Sequence, residues 1–112
     1  MIDELREPKG LSDRLSDVQI VDVREPYEWD AGRIDGSVHL PLNDLMGGAG
    51  DEELDRERPV VVVCRVGNRS ELGAIMLQAR GYDAHNLEGG LEAWERDGLP
   101  LTTPDGAPGH VV

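Results

Sequence analysis

The sequence predicts an α/β domain with a mainly parallel central sheet flanked by helices. Short β-branched runs alternate with helical stretches along the chain, which is the pattern of such a domain. Pro59-Val60-Val61-Val62-Val63 is apolar at four successive positions, so both faces of that strand are expected to be buried, as in the middle of a parallel sheet. Gly and Pro punctuate the junctions between these stretches.

The elements follow in order. Val18 to Val23 is rich in β-branched residues and reads as a first strand ending at Asp22-Val23-Arg24, with Pro26 stopping it. Tyr27 to Ala31 reads as a short helix closed by Gly32, in which Tyr27 and Trp29 are expected to pack against the sheet. After the turn at Ile34-Asp35-Gly36, Ser37 to Leu40 forms a second short strand ended by Pro41. Leu42 to Met46 is a single helical turn before Gly47-Gly48, and residues 49–58 form a charged connection. The valine strand comes next, with Cys64 at its carboxyl end. A helix over about Ser70 to Arg80 is expected to bury Leu72, Ile75, Met76 and Ala79, which lie at i, i+3, i+4 and i+7, before Gly81 ends it. Asp83 to Leu87 is a further strand. Gly89-Gly90 turns the chain into a helix over Leu91 to Asp97 that carries Trp94 as a core anchor. Residues 1–100 make the domain, and residues 101–112 read as a Pro/Gly-rich tail, extended or mobile.

Bulk properties narrow the function. The chain has 112 residues, enough for one domain with its own core. The formal net charge is −12, and Lys9 is the only lysine. That surface repels nucleic acid and anionic membrane, so neither is expected as a partner. No apolar run reaches the roughly 20 residues that span a bilayer, and the acidic start lacks a secretory pattern, so a cytoplasmic location is expected. One cysteine permits no internal disulfide, and the three histidines lack metal-ligand spacing, so no metal site is expected. The question reduces to whether Cys64 is a buried filler or a reactive thiol.

The stretch Cys64-Arg65-Val66-Gly67-Asn68-Arg69-Ser70 favours the reactive thiol. Free cysteine titrates near pH 8.5, so a nucleophile at neutral pH needs positive charge and N–H groups aimed at its sulfur. Arg65 and Arg69 carry that charge, and the helix beginning near Ser70 points its positive end at the loop. Gly67 lets the loop turn tightly, so that its N–H groups form a nest around an anion. Asp22 and Arg24, at a neighbouring strand end, are expected to brace the loop structurally, with Ser70. Glu28 and Glu71 are candidate partners for the arginines. His39 and His85 read as hydrogen-bonded or exposed side chains.

This loop resembles the active-site loop of the rhodanese family. Asp22-Val23-Arg24-Glu25-Pro26-Tyr27-Glu28-Trp29, with Gly32-Arg33-Ile34-Asp35-Gly36-Ser37 and Leu40-Pro41, is similar to the family's N-terminal signature. Glu88-Gly89-Gly90-Leu91-Glu92-Ala93-Trp94 resembles its C-terminal one. The motifs stand in family order over residues 18 to 100. Arg33 and His39 depart from the pattern, standing where the family often has histidine and asparagine. The resemblance implies a three-layer rhodanese-like fold and a sulfurtransferase without metal or organic cofactor. It implies Cys64 as the nucleophile that becomes a persulfide, and Arg65, Val66, Gly67, Asn68 and Arg69 as the donor-binding loop. The donor is a small sulfur compound such as thiosulfate or a persulfide; the acceptor is a thiol, cyanide or a protein. The chain is expected to be a monomer or a homodimer.

Three other readings remain open at this point. Cysteine phosphatases and arsenate reductases sharing the fold place one residue more between cysteine and arginine than the four, Arg65 to Asn68, found here. A regulatory rhodanese-like binding module commonly lacks the cysteine. A sulfur-relay carrier would pass its sulfur to a partner protein, docked through the acidic surface.

Overall fold

The computed structural model describes residues 3–112. Four strands, β1 (Gln19–Asp22), β2 (Val38–His39), β3 (Val60–Val63) and β4 (Ala84–Asn86), form one sheet in the order β2-β1-β3-β4. All three pairings are parallel. The helices are α1 (Pro8–Asp13), α2 (Pro26–Ala31), α3 (Leu42–Met46), α4 (Asn68–Ala79) and α5 (Gly90–Arg96). The α/β class with a parallel sheet is therefore as the sequence predicts.

The four valines of β3 explain the layering. Each is completely buried, and alternation along the strand divides them between two cores. Val60 and Val62 pack with Val21, Val23, Leu45 of α3, and Ala74 and Leu77 of α4. Val61 and Val63 pack with Ile20, Leu11 of α1, Leu87, and Leu91 and Trp94 of α5. Helices thus cover both faces, and each buried valine contributes about 1.5–3 kcal/mol of transfer free energy. Trp94 is fully buried, and its indole N–H donates to the Pro100 carbonyl at 2.9 Å.

The structure corrects two expectations about buried faces. In α4 the buried residues are Ser70, Gly73, Ala74 and Leu77, while Leu72 and Ile75 stand 44% and 55% exposed. Of the apolar stripe read from the sequence, Leu72, Ile75 and Ala79 face outward and Met76 is half-buried. The physical reason is a close approach: a Cβ on Gly73 would lie 3.2 Å from Val62 and 3.4 Å from Leu45, so the helix meets the sheet through its smallest residues. Tyr27, expected to pack on the sheet, is 68% exposed. Trp29 is half-buried, and both positions that depart from the family pattern meet its ring. His39 stacks on it at 4.6 Å between centroids, and the Arg33 guanidinium lies 4.3 Å from its centre.

The N-terminal segment also contributes. A 3-10 turn at Glu4–Arg6 precedes α1, and Leu5 and Leu11 are buried in the second core. At the other end, residues from Leu101 return to the C-terminal end of α2 and the residues just beyond it. Thr102 pairs with Arg33 in an antiparallel bridge, and the His110 N–H donates to the Ala31 carbonyl at 3.0 Å.

Candidate active site

Cys64 follows β3 directly and is completely buried. It lies beyond the carboxyl end of β3, one of the sheet's two interior strands, the place where sites form in parallel sheets. The loop from Cys64 to Gly67 then turns back so that α4 starts over the sulfur. Gly67 makes this possible with φ +103°, a left-handed conformation that side chains other than glycine rarely adopt. Its N–H donates to Cys64 Sγ at 3.1 Å, and the Ser70 N–H donates at 3.3 Å. They come from the N-cap and the first turn of a helix of 12 residues, whose positive end faces the sulfur. The Ser70 hydroxyl completes the set at 3.1 Å from Sγ.

The loop is anchored from the opposite side. The first turn of α5 donates two backbone N–H groups, Leu91 to the Cys64 carbonyl at 2.8 Å and Glu92 to the Arg65 carbonyl at 3.0 Å. Gly90 permits this contact. With φ +63°, a Cβ there would lie 2.5 Å from the Arg65 carbonyl oxygen and 2.6 Å from that of Cys64. The Gly89-Gly90 turn therefore exists to let α5 hold the cysteine loop.

The remaining loop residues divide by exposure. Arg65, Val66 and Asn68 are exposed, Gly67 and Ser70 are buried, and Arg69 is intermediate. Both arginines are already paired. Arg65 meets Glu92 at 2.9 Å in a pair whose side chains are 47% and 43% exposed. Arg69 grips Glu28 through both terminal nitrogens, at 2.7 and 2.9 Å. Glu28 thus serves Arg69 as one of the two partners the sequence suggests, while Glu71 does not take part and Glu92, which the sequence reading passes over, holds Arg65. Hydrogen bonding from Arg69 holds the Glu28 carboxyl below its ordinary value against the opposing effect of burial. The same bond raises the Arg69 guanidinium further above its own.

Asp22 and Arg24 form a fully buried ion pair, Arg24 Nη2 to Asp22 Oδ2 at 2.7 Å, and Nη2 also donates to the Gly32 carbonyl at 2.7 Å. The pair binds the end of β1 to the end of α2. Asp22 lies in register with Val63, the residue before Cys64.

The structure adds one polar residue to the site, Asn86 of β4. Its Oδ1 accepts from the Ser70 hydroxyl at 2.6 Å, and its Nδ2 donates to the Gly67 carbonyl at 3.1 Å. The signal that could have found it is its place: a buried asparagine at the carboxyl end of the strand beside β3. Among the described residues no group of three or more His, Cys, Asp or Glu side chains is placed to hold a metal ion, and no helix is long and apolar enough to cross a membrane.

Comparison with known proteins agrees with this architecture. Residues 7–97 match the rhodanese-like domain. A sulfurtransferase of Allochromatium vinosum is 36% identical over 95% of this chain and 100% of its own length. The thiosulfate sulfurtransferase GlpE of Pseudomonas fluorescens is 37% identical over 80% of each chain. Among solved structures, a rhodanese-related protein from Thermoplasma volcanium superposes with a TM-score of 0.79 at 29% identity, over 86% of this chain and 94% of that one. With its domain pattern and its relatives matched along most of their length in agreement, the chain belongs to the rhodanese-like domain family.

Proposed function

We propose that the protein is a cytoplasmic sulfurtransferase that carries sulfane sulfur on Cys64. The observation that carries this reading is the bonding of Sγ: two backbone N–H groups at 3.1 and 3.3 Å, at the positive end of α4, on the only cysteine of the chain. Such donors hold negative charge on sulfur and on the atoms that replace it during reaction.

Transfer runs in two displacements. The Cys64 thiolate attacks the sulfane sulfur of a donor such as thiosulfate. A new S–S bond forms, the donor's S–S bond breaks, and sulfite leaves with the electron pair. The outer sulfur of the Cys64 persulfide is then attacked by cyanide, a thiol or a protein cysteine. That sulfur leaves with the acceptor, and the electron pair returns to Sγ. No external oxidant or reductant is consumed. With a single cysteine in the chain, no second thiol can divert the persulfide into an internal disulfide, so it passes to an external acceptor.

The backbone of Val66, Gly67 and Asn68 lines the donor's approach. Arg65 meets the donor's oxyanion, because exchanging an exposed pair with Glu92 for another anion costs little. Arg69 stays on Glu28 and supplies positive charge near the sulfur. Initial rates of thiocyanate formation from thiosulfate and cyanide test the reading. Parallel lines in double-reciprocal plots, with no turnover in Cys64→Ser, are expected; turnover retained in Cys64→Ser overturns it.

A further inference from the structure

Cys64, Ser70, Asn86 and Gly67 close a ring of hydrogen bonds whose donors can be counted. Asn86 Nδ2 donates to the Gly67 carbonyl at 3.1 Å, which fixes the amide with Oδ1 toward Ser70. That oxygen has no proton, so at 2.6 Å the Ser70 hydroxyl must be the donor. A hydroxyl has one proton. With it given to Asn86, Ser70 Oγ presents only lone pairs to Cys64 Sγ, 3.1 Å away. The contact is then a hydrogen bond only if the sulfur carries the proton, donating S–H to Oγ.

Charge on the sulfur reverses this. A thiolate has nothing to donate, and it would face the lone pairs of Oγ. Rotating the hydroxyl proton from Asn86 Oδ1 to Sγ turns that contact into a third hydrogen bond, beside those from the Gly67 and Ser70 N–H groups. The charged side chains around the loop are paired: Arg65 with Glu92 of α5, Arg69 of α4 with Glu28 of α2, and Arg24 with Asp22 at the end of β1, with Tyr27 beside Arg69. Each of these cations is held by a carboxylate, whereas the Ser70 hydroxyl can turn, so its proton is the part of the surroundings that can respond to the charge on Sγ.

We propose that Asn86 is a positioning residue that competes with Cys64 for the single hydroxyl proton of Ser70, making Ser70 a two-position switch tied to the protonation state of the nucleophile. Asn86 favours the thiol by holding the proton, and releases it when the sulfur becomes an anion. The switch serves the proposed sulfur transfer and rests on Cys64 being its nucleophile.

The pH dependence of Cys64 alkylation by iodoacetamide tests the switch without any sulfur donor, so it can hold or fail independently of the persulfide chemistry. Asn86→Leu removes the competitor, and the midpoint of the profile is expected to fall by about half a pH unit. Ser70→Ala removes the proton itself, and the midpoint is expected to rise by a similar amount. In Ser70→Ala/Asn86→Leu the profile should match Ser70→Ala alone, because Asn86 Oδ1 reaches the sulfur only through the hydroxyl, and the same comparison exposes any effect routed through the Nδ2 bond to Gly67. An unmoved midpoint in Asn86→Leu, or a shift that persists in the Ser70→Ala background, overturns the proposal. Should Asn86→Leu fail to fold, Asn86→Ala takes its place with the same expected fall in the midpoint, and a midpoint that stays or rises overturns the proposal.

Discussion

The Arg69 guanidinium and the Glu28 carboxylate lie fork to fork, with Nη1 to Oε1 at 2.7 Å and Nη2 to Oε2 at 2.9 Å, tying the first turn of α4 to α2. Glu28 is only 3% exposed and Arg69 35%, so the carboxylate depends on the arginine. The same Oε1 also accepts the Glu25 N–H at 3.1 Å and caps α2. One arginine therefore brings charge to the cysteine loop and secures the neighbouring helix.

That pairing gives Glu28 a defined pH signature. Its carboxyl is held below the ordinary value of 4.5, chiefly by the hydrogen bond from Arg69. A depressed carboxylate stabilises the fold fully above its unfolded value, and the contribution is lost as pH falls through the lower native value. Glu28→Gln should cost about 1–2 kcal/mol at neutral pH, the outer half of the pair being partly screened. The two stability curves should converge as pH drops below 4.5. Urea midpoints between neutral and acid pH check this; a constant gap at all pH values would show that the charge of Glu28 is not involved.

The buried pair of Asp22 and Arg24 should behave as a unit. Both side chains are completely inaccessible, and Asp22 accepts from the Arg24 backbone N–H as well as its guanidinium. Arg24→Met leaves a bare carboxylate in the interior and should cost about 3–5 kcal/mol. Removing both charges in Asp22→Leu/Arg24→Met should cost less than the single substitution. Chemical denaturation of the two variants measures this directly, and a double variant less stable than Arg24→Met would contradict it.

The register of α4 yields a third prediction. Leu77 is fully buried between the sheet and α3, so Leu77→Ala should cost about 2–5 kcal/mol. Ile75 is 55% exposed, and Ile75→Ala should stay within about 0.5 kcal/mol. Thermal unfolding of both separates the observed register from the one the apolar spacing suggests, which would reverse the order.

The reason for that reversal also shows how far the sequence could be read. From β1 to α5, element type and order follow from Val60 to Val63, from the Pro and Gly stops, and from the motifs, and they match the structure, whereas α1 and the 3-10 turns before β1 are not read from the sequence. The phase of α4 does not follow from apolar spacing, because the site sets it. Ser70 must face Cys64, and the residues one and two turns further on that side are Gly73, Ala74 and Leu77. A face built from glycine and alanine for close approach is nearly silent in a hydrophobic pattern. Local sequence likewise says nothing of Asn86, which reaches the loop only because β4 pairs with β3. Leu5 and Leu11 are too few to show a period, and the bonds of Thr102 and His110 to Arg33 and Ala31 run through backbone groups that leave no side-chain signature.

The most direct measurement is the intact mass of the protein after incubation with thiosulfate and no acceptor. The prediction is a gain of one sulfur atom, lost on adding cyanide and absent in Cys64→Ser. A wild-type protein that reacts with iodoacetamide at Cys64 yet gains no sulfur from thiosulfate or from a small-molecule persulfide would contradict the proposed transfer.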